Sequence, residues 1–146
     1  YQVTDAQVAF YLGRVIANTR SLSTDPVLVR QNWLAAYDLV ADRAALLLNE
    51  YAKTSDPFGR IGTNSVTVQV TSIVRASDQS FQVKWTEQVY ERGSLVRTER
   101  WTSILAVSLR TPRTPEALAR NPLGVTITAI DWSREFDAPI IPRNTP

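Results

Sequence analysis

Apolar residues recur at helical spacing along the first third of the chain. Val8, Leu12, Val15, Ile16 and Thr19 fall on one stripe, the i, i+3, i+4 repeat of a helix with one face in a core. Thr4 and Gln7 stand ahead of it at capping-box spacing, and the pattern predicts a helix ending near Leu22. Asp25-Pro26 is a second start signal, with Asp as cap and Pro at the first helical position. That helix should reach about Val40, with Trp33, Leu34 and Tyr37 on its apolar side. A third helical segment, Asp42 to Lys53, holds the Ala44–Leu48 run, with Asp42 as its cap. It is either a separate helix or a continuation after a bend. Ser55-Asp56-Pro57 ends it, because a residue before proline resists helical geometry.

After Gly62 the period changes to two. Val66, Val68 and Val70 alternate with Thr67, Gln69 and Thr71, and Phe81, Val83 and Trp85 with Gln82, Lys84 and Thr86; alternation of this kind marks half-buried strands. Turns at Ser77–Ser80 and Arg92-Gly93-Ser94 and a third strand from Leu95 to about Leu109 make an antiparallel meander. Pro112 and Pro115 follow, then a short helical stretch, Glu116–Arg120. The turn Asn121-Pro122-Leu123-Gly124 leads into a last strand from Val125 to about Trp132. Helices first and strands afterwards imply an α+β domain, with the helices packed on one face of a curved four-stranded antiparallel sheet. Residues 1–137 read as a single domain and 138–146, with three prolines, as a loose tail.

Composition narrows the chemistry. The 146 residues include no His and no Cys, which excludes Ser-His-Asp and Cys-His catalysis, thiol redox chemistry and the usual zinc sites. The five glycines are scattered singly, so there is no glycine-rich phosphate loop, and no acidic cluster has calcium-loop spacing. No metal and no cofactor is expected. A chain that starts at Tyr1 and contains no Met reads as a piece of a longer protein, with any targeting or membrane segment upstream. The Ala44–Leu48 run is far too short to span a bilayer. The net charge of +2 is too small to predict strong nucleic-acid binding. Lys53 and Lys84 are the only lysines, and a charge carried mainly by Arg favours fixed, planar pairing.

Several residues are candidates for function. In the Asn121-Pro122-Leu123-Gly124 turn, Asn can bond its own backbone, Pro fixes φ and Gly accepts a positive φ. The turn either sets the entry of the last strand or meets a partner. Arg92, Arg97, Arg100, Arg110, Arg113 and Arg120 lie on one hairpin and its exit loop. They either meet an anionic partner or pair with Glu87, Glu91 and Glu99 across the strands. Trp33, Trp85, Trp101 and Trp132 are mostly core candidates, with Trp132 the interface exception. Phe10 and Tyr11 are adjacent on the first helix and cannot share one core stripe, so one of them is exposed.

The run from Arg100-Trp101 to Leu109, then Pro112, Pro115, Glu116, Leu118, the Asn121–Gly124 turn and Ile130-Asp131-Trp132-Ser133-Arg134-Glu135 resembles the TrbF conjugal-transfer family. That family is related to the eighth component of the VirB type IV secretion system. The resemblance implies a cone-shaped fold like nuclear transport factor two. It also implies a single-pass inner-membrane protein, anchored by a helix absent from this chain, with the present domain in the periplasm. The implied role is an assembly scaffold, not an enzyme, that docks other secretion components and forms a weak homodimer. Asn121, Pro122, Leu123 and Gly124 inherit an assembly role, and Phe10, Tyr11, Trp132 and Glu135 are the candidate self-association surface. No small-molecule substrate and no direct nucleic-acid contact is expected. The alternative is a small enzyme or ligand-binding domain of the same fold, with Tyr37, Asp38, Asp42 and Tyr51 lining the cone and Asp38 and Asp42 on one helix face.

Overall fold

The computed structural model describes residues 2–136. Thr4 and Gln7 close the predicted capping box: Gln7 N donates to Thr4 Oγ1 at 3.2 Å, and Thr4 N to Gln7 Oε1 at 2.8 Å. Two amides that a helix start leaves bare are thereby satisfied. The helix they open, α1, is Asp5–Arg20 and buries Val8, Leu12, Val15, Ile16 and Thr19. It stops short of Leu22 because Leu22 leaves as a one-residue strand, exchanging two 3.0 Å backbone bonds with Val66. Helix α2 is Pro26–Tyr37. It ends before Val40 because Leu39 O and Ala41 N bind the backbone of Ile127. That detour makes α3, Asp42–Ser55, a separate helix.

Two expectations for these helices change. Leu34 is 56% exposed, so it is not on the buried side of α2. Asp42 is not the cap of α3: Ala41 holds the cap position, and Asp42, at φ 54°, turns its carboxylate to Arg110. Asp56 ends α3 in the left-handed region (φ 45°). Its side chain accepts from Gly59 N and so opens a one-turn helix, α4, Pro57–Arg60, which is too short for periodicity to reveal.

The sheet holds β1 (Asn64–Ser77), β2 (Ser80–Glu91), β3 (Ser94–Leu109) and β4 (Val125–Glu135), with the short helix α5 (Pro115–Arg120) before β4. The order is β1-β2-β3-β4 and every neighbour is antiparallel, as a meander requires. Positive φ at Arg92 and Gly93 makes the tight β2–β3 turn. The last strand runs past Trp132 because Ser133, Arg134 and Glu135 pair with Thr102, Trp101 and Arg100. Register shifts at Val70/Ser72 and Ala106/Val107 bend the strands. The curved sheet wraps the helices, α1 on β1 and α3 on β4, giving the cone expected of a nuclear-transport-factor-two-like fold. The tail predicted at 138–146 lies outside the described residues.

A buried charged pair lies against this core, beside a hollow lined by Tyr51, Arg60 and Trp101. The stripe of α1 ends on Arg20, and the inward alternation of β2 (Phe81, Val83, Trp85) continues onto Glu87; both are buried. Arg20 Nε and Nη2 donate to Glu87 Oε2 and Oε1 at 2.6 and 3.1 Å, and Trp85 Nε1 donates to Glu87 Oε2 at 2.7 Å. The guanidinium lies 3.9 Å from the Trp101 ring centre, 4.8 Å from Trp132 and 4.9 Å from Tyr51. A buried charge is tolerable only when paired and fully hydrogen-bonded, and aromatic faces supply further attraction. Glu87 stands directly opposite Glu99 in the β2–β3 register, a repulsive placement. It is offset because Arg20 holds Glu87 while Arg97 and Arg134 approach Glu99 at 2.5 and 3.6 Å.

The other end of α1 is tied at the surface. Arg75 donates to Asp5 at 2.7 to 3.2 Å and lies 4.6 Å from the Phe81 ring centre. The hydrogen bonds from Arg75 hold the Asp5 carboxyl below its ordinary value of 3.8.

Two outcomes follow from these ties. Arg20→Met leaves Glu87 buried and uncompensated and should cost about 3–5 kcal/mol in urea unfolding. Adding Glu87→Gln, which keeps an acceptor for Trp85, should recover a large part of that loss. A single substitution costing under about 1 kcal/mol would show that the pair does not hold the core. At the other end, a depressed folded-state pKa gives Asp5 a stabilising contribution that is present above 3.8 and lost as pH falls through the lowered value. Arg75→Gln should return the Asp5 titration, followed by NMR, to the ordinary carboxylate range. An unmoved titration would remove Arg75 as the cause.

Candidate functional site

The Asn121–Gly124 turn is built from the end of α5. Asn121 leaves the helix at φ −143°, and its amide side chain then behaves like a strand neighbour. Oδ1 accepts from Val125 N at 3.1 Å while Nδ2 donates to Val125 O at 2.8 Å. Gly124 N donates to Asn121 O at 3.1 Å and closes the turn. Gly124 is buried at φ 68°, and a Cβ there would overlap the Arg110 carbonyl. Arg110 N in turn donates to Gly124 O at 2.8 Å. Leu123 packs against the core. Three of the four residues thus serve the entry of β4, and Pro122 is the exposed member.

Charged residues surround the turn. Arg110 meets Asp42 at 2.8 Å, and Arg120 meets Asp38 at 3.7 Å. These pairs occupy the two carboxylates of the enzyme reading. Asp38 is the C-cap of α2 and Asp42 opens α3, so they do not share one helix face. Tyr37 Oη donates to Asn49 Oδ1 at 2.5 Å, and burial pushes its phenol pKa up. Tyr37 and Asp38 line one hollow, whereas Tyr51 lines another beside Arg20. The four residues do not converge, so no acid and base face a common substrate position among them.

The arginines predicted as one cluster divide into two. Arg92, Arg97 and Arg100 are at the β2–β3 hairpin, while Arg110, Arg113 and Arg120 are near the turn. Glu87, expected to pair with the hairpin arginines, pairs with Arg20 of α1 instead, because it faces inward. The self-association candidates are also separated. Phe10 is 59% exposed. Tyr11 is half-buried and meets Phe10 edge-on at 5.5 Å. Trp132 is not an exposed aromatic: it is half-buried, 5.0 Å from Tyr51 and 6.5 Å from Trp85. Glu135, three positions on, lies on the other face of β4, 3.7 Å from Lys84. Pattern reading missed Arg20 as a core residue and Leu39 and Ala41 as partners of β4. The signal for Arg20 was a charge standing in an apolar stripe.

Comparison with known proteins places this geometry. The VirB8 protein family model matches residues 1–135. The conjugal transfer protein TrbF of Rhizobium radiobacter is 32% identical over 128 residues, covering 86% of this chain and 58% of that protein. The chain therefore spans little more than half the length of that relative. The soluble domain of TrwG from the type IV secretion machinery of Bartonella grahamii superposes with a TM-score of 0.78 at 19% identity, over 94% of this chain and 99% of that one. The VirB8 protein of Agrobacterium tumefaciens superposes with a TM-score of 0.79 at 14% identity, over 94% and 99%. With the family model spanning nearly every described residue and a relative 32% identical over most of the chain, the chain belongs to the VirB8 family of type IV secretion components.

Proposed function

We propose that this chain is the periplasmic scaffold domain of a type IV secretion or conjugation channel, working by weak self-pairing and by docking other channel components. The observation that carries the reading is the family match over residues 1–135. Among the described residues no helix is long and apolar enough to cross a membrane; the proposed inner-membrane helix lies outside this chain. In this reading the described residues 2–136 act as one domain. Held on a membrane, domains that pair weakly in solution meet at a high effective concentration.

The turn supports docking indirectly. Asn121 and Gly124 lock the segment from Arg110 to Arg120 against β4, which leaves Pro122 and the outer side of α5 as a fixed ledge. Phe10, with the Arg14 guanidinium 5.6 Å from its ring centre, offers an apolar contact for self-pairing and Tyr11 packs beside it, while Trp132 and Glu135 would contribute from a separate place on β4.

Two measurements test the reading. With the native upstream sequence in place and any Cys in it replaced by Ser, Ser94→Cys puts one thiol at the exposed β2–β3 turn of a chain that has none of its own. A membrane-impermeant maleimide should label it in intact cells; labelling only after lysis would place the domain in the cytoplasm and end the scaffold reading. The turn is tested by separating fold from docking. Asn121→Ala strands the backbone of Val125 and should cost about 1–3 kcal/mol. Pro122→Ala should leave stability within about 0.5 kcal/mol yet reduce DNA transfer between cells. Normal transfer by a stable Pro122→Ala protein would confine the turn to folding.

A further inference from the structure

The hollow beside the Arg20–Glu87 pair has a volume of about 300 Å³ and is walled by Tyr51 and Ser55 of α3, Arg60 of α4, and Val89, Glu99 and Trp101 of the sheet. Three hydrogen-bond donors of these wall residues are buried and have no acceptor among the described residues: the Ser55 hydroxyl, Arg60 Nε and Trp101 Nε1. Native folds leave few such groups, because a donor that loses water and gains no partner is destabilising. Here three belong to one wall, and they come from three different elements.

The charges of the hollow do not cancel. Arg20, Arg60 and Arg97 line it against Glu87 and Glu99. Glu87 is taken by Arg20 and by the Trp85 indole, and Glu99 by Arg97 and by Arg134 from β4. Both carboxylates are thus covered by cations of their own. The Arg60 side chain has no carboxylate partner among the described residues, so one positive charge of the lining is left over. A carboxylate guest matches that remainder, since it carries one negative charge and accepts up to about four hydrogen bonds. A phosphate dianion would set a second negative charge beside Glu87 and Glu99. A neutral amide would leave Arg60 without a counter-charge. Val66 and Val89, also in the lining, offer apolar surface to a short stem.

We propose that this hollow binds one carboxylate group on a short apolar stem, with Arg60 as its charge partner and Ser55 and Trp101 as neutral donors. The stem belongs to a small free acid or to a glutamate side chain of another protein. Its occupant would join the end of α3 and α4 to β3. The proposal stands apart from the scaffold reading, which requires nothing of this hollow.

The probe is propionate, the end of a glutamate side chain, with propionamide as control, titrated into the chain and followed by NMR at neutral pH. Propionate should shift the Trp101 indole N–H and the Arg60 Nε–H resonances to saturation, and propionamide should not. Arg60→Gln should weaken propionate about tenfold, the loss of one charge-assisted hydrogen bond. Arg43→Gln, at an exposed position of α3 outside the lining, should leave it unchanged. The propionamide comparison uses the native chain, so it decides the matter even where Arg60→Gln loosens the fold. Absence of saturable shifts, equal shifts by propionamide, or unchanged binding by a folded Arg60→Gln chain overturns the proposal. Inorganic phosphate displacing propionate at lower concentration overturns it in favour of a phosphate site. The peptide acetyl-Ala-Glu-Ala-amide separates the two sources: tighter binding than propionate supports the proposal with a protein side chain as guest, and weaker binding supports it with a free acid.

Discussion

A guanidinium and a carboxylate buried side by side set the terms for the rest of this structure. Arg20 is the last residue of α1, and Glu87 lies in the middle of β2. Neither charge could stand in an apolar interior alone. Each therefore demands the other, and the pair demands that α1 and β2 meet at one register. The aromatic shell extends the demand: Trp101 brings β3, Trp132 brings β4 and Tyr51 brings α3 against the same guanidinium. Five elements thus share a single contact point. A one-residue slip of β2 would turn Phe81, Val83 and Trp85 to solvent and Glu87 with them, leaving Arg20 buried without its partner.

The legible and illegible parts of the fold divide along local lines. The capping box, the α1 stripe, the alternation of β1 and β2 and the Arg92-Gly93 turn are each encoded within a few residues, and each stands where the pattern placed it. Errors arose where distant backbone decided the outcome. α2 stops early because Leu39 and Ala41 are bound by Ile127, far along the chain, and no local signal in residues 38–41 announces that partner. Leu34 looked buried because it is apolar; its position on α2 leaves it outside. Arg20 and Glu87 were readable in part. Each is a charge standing in an otherwise apolar register, and two such anomalies of opposite sign are the mark of a buried pair, though not of its partners.

The candidate site shows the same division. Turn chemistry in Asn121-Pro122-Leu123-Gly124 was plain, but sequence could not say which members face inward. The structure answers through backbone. Asn121 occupies both hydrogen-bonding groups of Val125, and Gly124 is pressed against Arg110. A residue whose side chain is spent on its own strand has little left for a partner. The arginines likewise looked like one patch because they are close in sequence, whereas the two ends of a long β3 separate them.

These constraints bear on how a domain of this shape can act. Trp85, Trp101, Trp132, Tyr51 and the Arg20–Glu87 pair pack together on the inner side of the sheet, so the cone invests this part of its interior in rigidity. Rigidity there is useful to the outside. β4 enters the core through Val125 and Ile127, both fully buried, and its first residue is clasped by Asn121. The ledge from Arg110 to Pro122 therefore moves with the sheet and not as a free loop. A surface held in this way loses little conformational freedom when a partner binds. Strength of association then depends on which charges the fold leaves unmatched, and at this ledge Arg113 is left exposed while Arg110 and Arg120 are drawn into internal pairs.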